Sequence, residues 1–307
     1  QAVSLDGGLA LARLKLADRL RETGREDEAL EHYAAARRLD PTNPDAPKNQ
    51  GYLLLNRGDA AAAEEAFREA RRIRPDDPDT LLGLADALAR TRPADTAEAE
   101  ELYRRAATLR QDDPRPWKNL GFLLARAGRL GEAAEAFRQV LDRDPADADV
   151  ACGLADALFA MGHNDEAESL YRRALALRPD FALALNNYGD LLTRTGRHEG
   201  ALDCYRRAHE LTPDNPSVLF NLGRALQRKG QLAEAIPLLE RVVTLRSEDA
   251  RARLILAQAL AEAGRTDEAR IHARRVALER PDWEQARQLL ETLDKAPTAS
   301  GPDRKGP

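Results

Sequence analysis

Histidines, cysteines and paired acids are the residue types here that could support chemistry, and their spacing supports none. The histidines are His32, His163, His198, His209 and His272, scattered along the sequence. None belongs to an HExxH pair, which would set two imidazoles one turn apart on a helix to hold zinc. No phosphate-cradling GxxxxGK[ST] or GxGxxG loop and no GxSxG elbow is present. Cys204 and His209 stand five apart, which places them on different faces of a helix. Cys152 and Cys204 form no CxxC pair and read as ordinary helix-packing thiols. Acid pairs such as Glu64–Glu65 and Glu100–Glu101 read as surface helix charges. The sequence therefore predicts a non-enzyme with no cofactor and no metal. What does recur is an amide. Asn49, Asn119, Asn187 and Asn221 interrupt apolar helical runs such as "WKNLGFLLARAG" at 117–128. An amide both donates and accepts, so a row of amides can pair with a peptide backbone whatever side groups that peptide bears.

Helices must position these amides. Alanine, leucine, arginine and glutamate dominate the 307 residues, and all four are strong helix formers. Charged residues reach 32% and aromatics only 5%, a balance that points to many solvated helical faces. A net charge of -5 argues against nonspecific nucleic-acid binding, which needs clustered positive charge. No apolar run approaches membrane-spanning length, which predicts no direct membrane insertion. The sequence starts at Gln1 and has one methionine, Met161, so it reads as a fragment or a processed product. A cytoplasmic location is expected, or the bacterial periplasm or envelope if a signal peptide was removed before Gln1.

The dominant signal is internal repetition. Gly51, Gly121, Gly189 and Gly223 share one slot, filled elsewhere by Ala17, Ala85, Ala155 and Ala257. A second glycine follows seven residues later, as at Gly58 and Gly128, and an alanine five residues after that. An aromatic or aliphatic residue comes next, at Tyr33, Phe67, Phe137, Tyr171, Tyr205 and Leu239. Most units close on proline, as at Pro75 and Pro145. The period is 34 residues, with one unit of 36 that carries the loop "RTRPADTAEAE". Each slot has a physical reading. The small residue lets two antiparallel helices approach closely, and the second glycine ends the first helix in the left-handed region. The large residue fills the space between neighbouring hairpins, and the proline stops the second helix. Asn43, Asp77, Asp113 and Asn215 then cap the next helix, with proline just inside.

The pattern W-x2-L-G-x2-[LY]…A-x3-F…A-x4-P is carried by Trp117, Leu120, Gly121, Leu124, Ala133, Phe137 and Pro145, with Val140 in place of an alanine. In this the protein resembles the tetratricopeptide repeats, over about nine-tenths of its length. The resemblance implies an all-α fold, a right-handed superhelix or α-solenoid of eight helix-turn-helix repeats. Their expected bounds are 10–43, 44–77, 78–113, 114–147, 148–181, 182–215, 216–249 and 250–283. An N-terminal arm at 1–9, a capping helix at 284–294 and a disordered tail at 295–307 complete the expected organisation.

The resemblance also implies that each first helix lines a concave groove. Its sixth position reads Lys15, Asn49, Gly83, Asn119, Gly153, Asn187, Asn221, Ile255. This is similar to the asparagine ladder of O-GlcNAc transferase-type superhelices, interrupted at Gly83 and Gly153. The candidate peptide-binding residues on that face are Lys48, Asn49, Tyr52, Asn56, Lys118, Asn119, Phe122, Arg126, Asn186, Asn187, Asp190, Arg194, Asn221, Arg224 and Arg228. The sequence also repeats in pairs, 44–113 against 114–181. Either Gly83 and Gly153 open side-chain pockets beside Tyr52 and Phe122, or those rings fill the gaps. Arg194, Arg224 and Arg228 make the distal half basic, with Arg90 and Arg126 adding to it. Such a wall can catch an acidic side chain or a C-terminal carboxylate. The carboxylate clamp of chaperone-tail-binding repeats is not completed, because Tyr52 and Phe122 stand where its second residue belongs.

Three functional expectations follow. The first is a protein-interaction scaffold that holds an extended peptide or protein segment. The second is the substrate-reading arm of a larger enzyme, such as an O-GlcNAc-transferase-like glycosyltransferase. The third is a bacterial envelope assembly factor for a secretion or pilus system, in which self-association is possible.

Overall fold

The computed structural model describes residues 2–295, with side chains from Gly8 onward. Among these residues there are seventeen helices and no strand. They divide into two compact units that meet in sequence at His163 and Asn164. The first unit holds α1 (Ala2–Glu22), α2 (Glu26–Leu39), α3 (Asp45–Asn56), α4 (Ala60–Ile73), α5 (Pro78–Thr91), α6 (Ala97–Leu109), α7 (Arg115–Arg126), α8 (Leu130–Leu141) and α9 (Ala148–Ala160). The second holds α10 (Asn164–Leu177), α11 (Ala182–Arg194), α12 (His198–Leu211), α13 (Pro216–Arg228), α14 (Leu232–Leu245), α15 (Ala250–Glu262), α16 (Thr266–Glu279) and α17 (Glu284–Lys295). In each unit, consecutive helices pack as hairpins, and successive odd-numbered helices also touch one another. Successive even-numbered helices stand further apart and meet only through long side chains such as Arg37 with Glu69, so within each unit the odd-numbered helices lie on the inner side.

Local chemistry explains the helix ends. The seven turn glycines, Gly58 and Gly128 among them, have φ between 77° and 90°, a region costly for any residue with a Cβ. The N–H of Asp59 reaches back to Leu54 O at 2.9 Å and that of Arg129 to Leu124 O at 3.0 Å, which closes the exposed carbonyls of the first helix. The hairpin of α5 and α6 lacks this glycine and turns through residues 92–96 instead. Asp77 caps α5 by accepting from Thr80 N at 2.9 Å, and Asn215 caps α13. Asn43 and Asp113 act one residue earlier, accepting from Asp45 N and Arg115 N, so Pro44 and Pro114 become the boundary residues of α3 and α7.

Two expectations change, and a third, the tail, falls almost wholly outside the described residues. The residues read as an N-terminal arm, from Ala2 to Leu9, form the start of α1, which runs through Gly7 and Gly8 with no proline to stop it. The tail at 295–307 lies outside the described residues apart from Lys295, which ends α17. Glu64 and Glu100 are buried acceptors and not surface charges. Glu64 accepts from Arg92 at 2.6 Å and Glu100 from Arg129 at 2.6 Å, each arginine standing just after the next odd-numbered helix. These pairs tie one hairpin to the next, and Glu64 and Glu100 each hold a second arginine, Arg68 and Arg104, on their own helices.

The core is a row of second-helix side chains that lie against the backbone of the first helices. Tyr33, Phe67, Phe137 and Tyr205 are almost fully buried. A Cβ on Gly121 would sit 2.5 Å from Phe137 Cε1, and one on Gly83 would sit 2.3 Å from Phe67 Cζ. Gly131, in contrast, faces open space within α8. Gly83→Ala should therefore destabilise the protein by about 1–3 kcal/mol through overpacking. Gly131→Ala should stabilise it by up to about 1 kcal/mol through helix propensity. Urea unfolding of both variants against wild type checks the opposite signs.

Candidate functional site

The inner-face asparagines are not simply offered to solvent. Asp18 on α1 accepts from Tyr33 OH at 2.6 Å and from Asn49 Nδ2 at 3.0 Å. Asp86 on α5 accepts from Tyr103 OH at 2.6 Å and from Asn119 Nδ2 at 2.7 Å. Asp190 on α11 accepts from Tyr205 OH at 2.6 Å and from Asn221 Nδ2 at 3.3 Å. Each trio joins a first helix, its own second helix and the next first helix into one clasp. A buried phenol needs an acceptor and a desolvated carboxylate needs donors, so the trio satisfies itself. Desolvation pushes the Asp86 carboxyl above its ordinary range, against the lowering by the Tyr103 and Asn119 hydrogen bonds. The clasp takes one Nδ2 donor from each of Asn49 and Asn119, whereas Asn221 spends both, on Asp190 and on Asn186.

Where the second helix carries phenylalanine, the arrangement changes. Tyr52 stands edge-on to Phe67 at 5.0 Å between centroids, and Phe122 stands edge-on to Phe137 at 4.9 Å. The Tyr52 hydroxyl donates to Asp79 O at 2.6 Å. Of the two readings of Gly83 and Gly153, the structure has rings against both glycines. Phe67 fills the space at Gly83, and Phe122 and Phe137 crowd Gly153, each 3.1 Å from where a Cβ would lie. Lys48 pairs with Asp45 at 2.8 Å and approaches Asp77 at 3.8 Å. Lys118 pairs with Asp147 at 2.7 Å. Both lysines thus hold the cap of the next odd-numbered helix.

Two pockets do open on the inner face, one in each unit. The first, of about 270 Å³, lies among α5, α6 and α7, lined by Asp86, Arg90, Tyr103, Asn119, Phe122 and Arg126 among others. Arg90 donates to Leu55 O and Arg126 to Ala89 O, both at 2.8 Å, which fixes the two guanidiniums at the rim. Phe122 keeps 41% of its surface exposed. The second pocket, of about 260 Å³, lies among α11, α12 and α13, with Tyr205, Asn221, Arg224 and Arg228 in its lining. Asn186 donates to Asn187 Oδ1 and accepts from Asn221, both at 3.1 Å, behind this pocket. Arg194 donates to Asn164 Oδ1 at the start of α10. Asn56 is exposed at the last position of α3. Among the described residues no cluster of three metal-ligating side chains occurs. Burial pushes the Cys204 thiol up to about 11.

Four family models described as tetratricopeptide repeat match the protein. They cover residues 10–44 and 152–216, 54–121 and 226–293, 204–236, and 114–157. The protein belongs to the tetratricopeptide-repeat family. No curated protein matches it. Among solved structures it is similar to the APC/C hetero-tetramer Cut9-Hcn1, at 17% identity and a TM-score of 0.66 over 87% of this chain. It covers 52% of that chain and so spans about half its length. YrrB, described as a TPR protein with an unusual peptide-binding site, is 21% identical with a TM-score of 0.53 over 62% of this chain and 99% of its own. MamA is 20% identical with a TM-score of 0.52 over 57% of this chain and 95% of its own. At these identities the likeness shows the fold alone. Among the described residues no helix is long and apolar enough to cross a membrane.

In tetratricopeptide-repeat terms, sequence reasoning missed the partners of the sixth-position asparagines. The signal was present. Each asparagine follows a repeat with aspartate at the ninth position and tyrosine on the second helix, whereas Gly83 and Gly153 follow Tyr52 with Phe67 and Phe122 with Phe137. Losing one clasp donor through Asn119→Ala should cost about 1 kcal/mol in urea unfolding. Asp86 also gives a pH signature. Its folded pKa is raised, so its contribution is greatest below the unfolded aspartate value, about 3.9, and declines as pH rises through the folded one. The stability difference between wild type and Asp86→Asn should therefore shrink with rising pH across that window, as read from urea titrations at a series of pH values.

Proposed function

We propose that this protein is a non-catalytic scaffold that binds protein segments in extended form on the inner faces of its two units. The observation that carries this reading is the pair of pockets. They occur at the same repeat register, with Asn119, Phe122 and Arg126 in one matched by Asn221, Arg224 and Arg228 in the other. Each has a tyrosine and a clasped asparagine at its floor and two arginines at its rim. An asparagine whose Nδ2 is held by aspartate still presents Oδ1 as an acceptor, oriented in advance for a peptide N–H. The guanidiniums of Arg90 and Arg126 have donors left over after their carbonyl bonds. The exposed Phe122 ring supplies an apolar contact of the kind that anchors interfaces. The fold likeness to YrrB, whose description names a peptide-binding site, agrees with this reading. Lys48, Tyr52 and Lys118 belong to inter-repeat packing and act on a guest only indirectly.

A peptide-display selection on the full-length protein tests the reading. Peptides recovered by wild type should bind at least about tenfold more weakly to Phe122→Ala/Arg126→Ala, to Arg224→Ala/Arg228→Ala, or to both. The Tm of Arg224→Ala/Arg228→Ala should stay near that of wild type, whereas Phe122→Ala/Arg126→Ala should lower it because Phe122 packs on Phe137 and Arg126 holds Ala89 O, so binding is compared well below both midpoints. Undiminished binding to both double variants would place the site elsewhere on the molecule.

A further inference from the structure

In five repeats the ninth position of the first helix has one of two kinds of partner. Asp18, Asp86 and Asp190 stand there with a phenol and an amide donating to them. Tyr52 and Phe122 stand there edge-on to a phenylalanine ring. The seventh repeat follows neither pattern. Arg224 takes the ninth position, Leu239 replaces the ring of the second helix, and Ile255 replaces the asparagine or glycine of the following helix. A guanidinium therefore occupies the place where other repeats hold a carboxylate.

No acid of the fold forms an ion pair with it, although the Asp190 charge is near enough to favour the guanidinium. Among the described residues neither Arg224 nor Arg228 has a carboxylate within ion-pair distance. Asp190 has one oxygen on Tyr205 and the other on Asn221. Glu199, at the rim, is held by Lys229 at 2.8 Å. Arg228 lies four residues beyond Arg224 on the same face of α13, a spacing at which like charges destabilise a helix. Arg251 adds a third positive charge, since Arg224 and Arg251 both lie against the Phe220 ring, at 5.4 and 5.6 Å from its centroid. Burial first, then the Arg228 charge, lowers the Arg224 guanidinium from its ordinary value. Leu202 and Ala225 supply apolar wall to the same pocket of about 260 Å³.

We propose that the pocket among α11, α12 and α13 binds a peptide carboxylate, with Arg224 and Arg228 as its donors and Leu202 and Ala225 receiving the aliphatic stem. The inference rests on the peptide-binding reading above and names the chemistry of one of its two pockets. The carboxylate comes from an acidic side chain or from the C-terminus of a peptide. The planar fork of arginine matches the two oxygens of a planar carboxylate. Selection is local, because the net charge of the whole protein is -5 and attracts no anion at long range.

The test follows the Nε–Hε resonances of Arg224 and Arg228 in the full-length protein by NMR. Three probes are titrated at millimolar concentration: acetyl-Gly-Leu-Glu-Leu-Gly-amide, its Gln counterpart, and the Gln counterpart with a free C-terminal carboxylate. At least one carboxylate-bearing peptide should bind about tenfold or more tightly than the neutral one, and which of the two does so identifies the source. Arg224→Gln/Arg228→Gln should abolish the difference while Tm holds. Equal affinity for all three peptides overturns the carboxylate assignment and leaves peptide binding standing. A preference that survives the double variant overturns the location. Inorganic phosphate that shifts Arg224 more strongly than acetate at equal concentration overturns the assignment to carboxylate. The absence of any shift with all three peptides, in this pocket and in the one lined by Phe122, overturns both the inference and the reading beneath it.

Discussion

Each hairpin must seat one large second-helix side chain between its own first helix and the next, and the identity of that residue dictates what surrounds it. A phenylalanine presses its edge on the following helix, so that helix needs glycine there. Gly83 against Phe67 and Gly153 against Phe137 are the two instances. A tyrosine carries a hydroxyl into the same space, and a buried hydroxyl without a partner is costly. It finds aspartate one helix back, and the aspartate then requires a second donor, which the next asparagine supplies. The alternation of asparagine and glycine along the inner face is thus a consequence of core packing. The sequence carries the tyrosine set once more at Asp156, Tyr171 and Asn187, with the same spacing.

This coupling bears on how the inner face can act. A residue clasped to its neighbour is oriented and partly spent, whereas one outside the clasp retains its full capacity. Asn49, Asn119 and Asn221 are of the first kind: the first two keep Oδ1 and one N–H, and Asn221 keeps Oδ1 alone. Arg224 and Arg228 are of the second kind, while Arg90, Arg126 and Phe122 stand outside the clasps but have part of their surface engaged by neighbouring helices. Under the proposed reading, contacts to a guest would concentrate in a few positions, and the rigidity of the clasps would lower the entropy lost on holding it. The outer charges work differently. Buried glutamates such as Glu64 and Glu100 meet arginines from the next hairpin and fix the stacking of neighbours.

Much of this was legible in the letters. The 34-residue period, the turn glycines and the closing prolines determined the helices, their hairpin pairing and the family, because each acts within a few residues of backbone. Seven turn glycines take the left-handed region, where the sequence pattern ends each first helix. The candidate site was legible only in part. Arg126, Phe122, Asn119, Asn221, Arg224 and Arg228 do gather at pockets, yet Lys48, Tyr52 and Lys118 turn to neighbouring hairpins.

What the sequence determined by itself was the local grammar: where helices start and stop, which face is apolar, and which register repeats. What only the tertiary structure decided was partnership. Asn119 and Asp86 are 33 residues apart, and whether an inner-face amide meets a guest or a neighbour depends on how closely two helices approach. That distance is set by the ring packed between them, and a ring's depth is a property of three helices together.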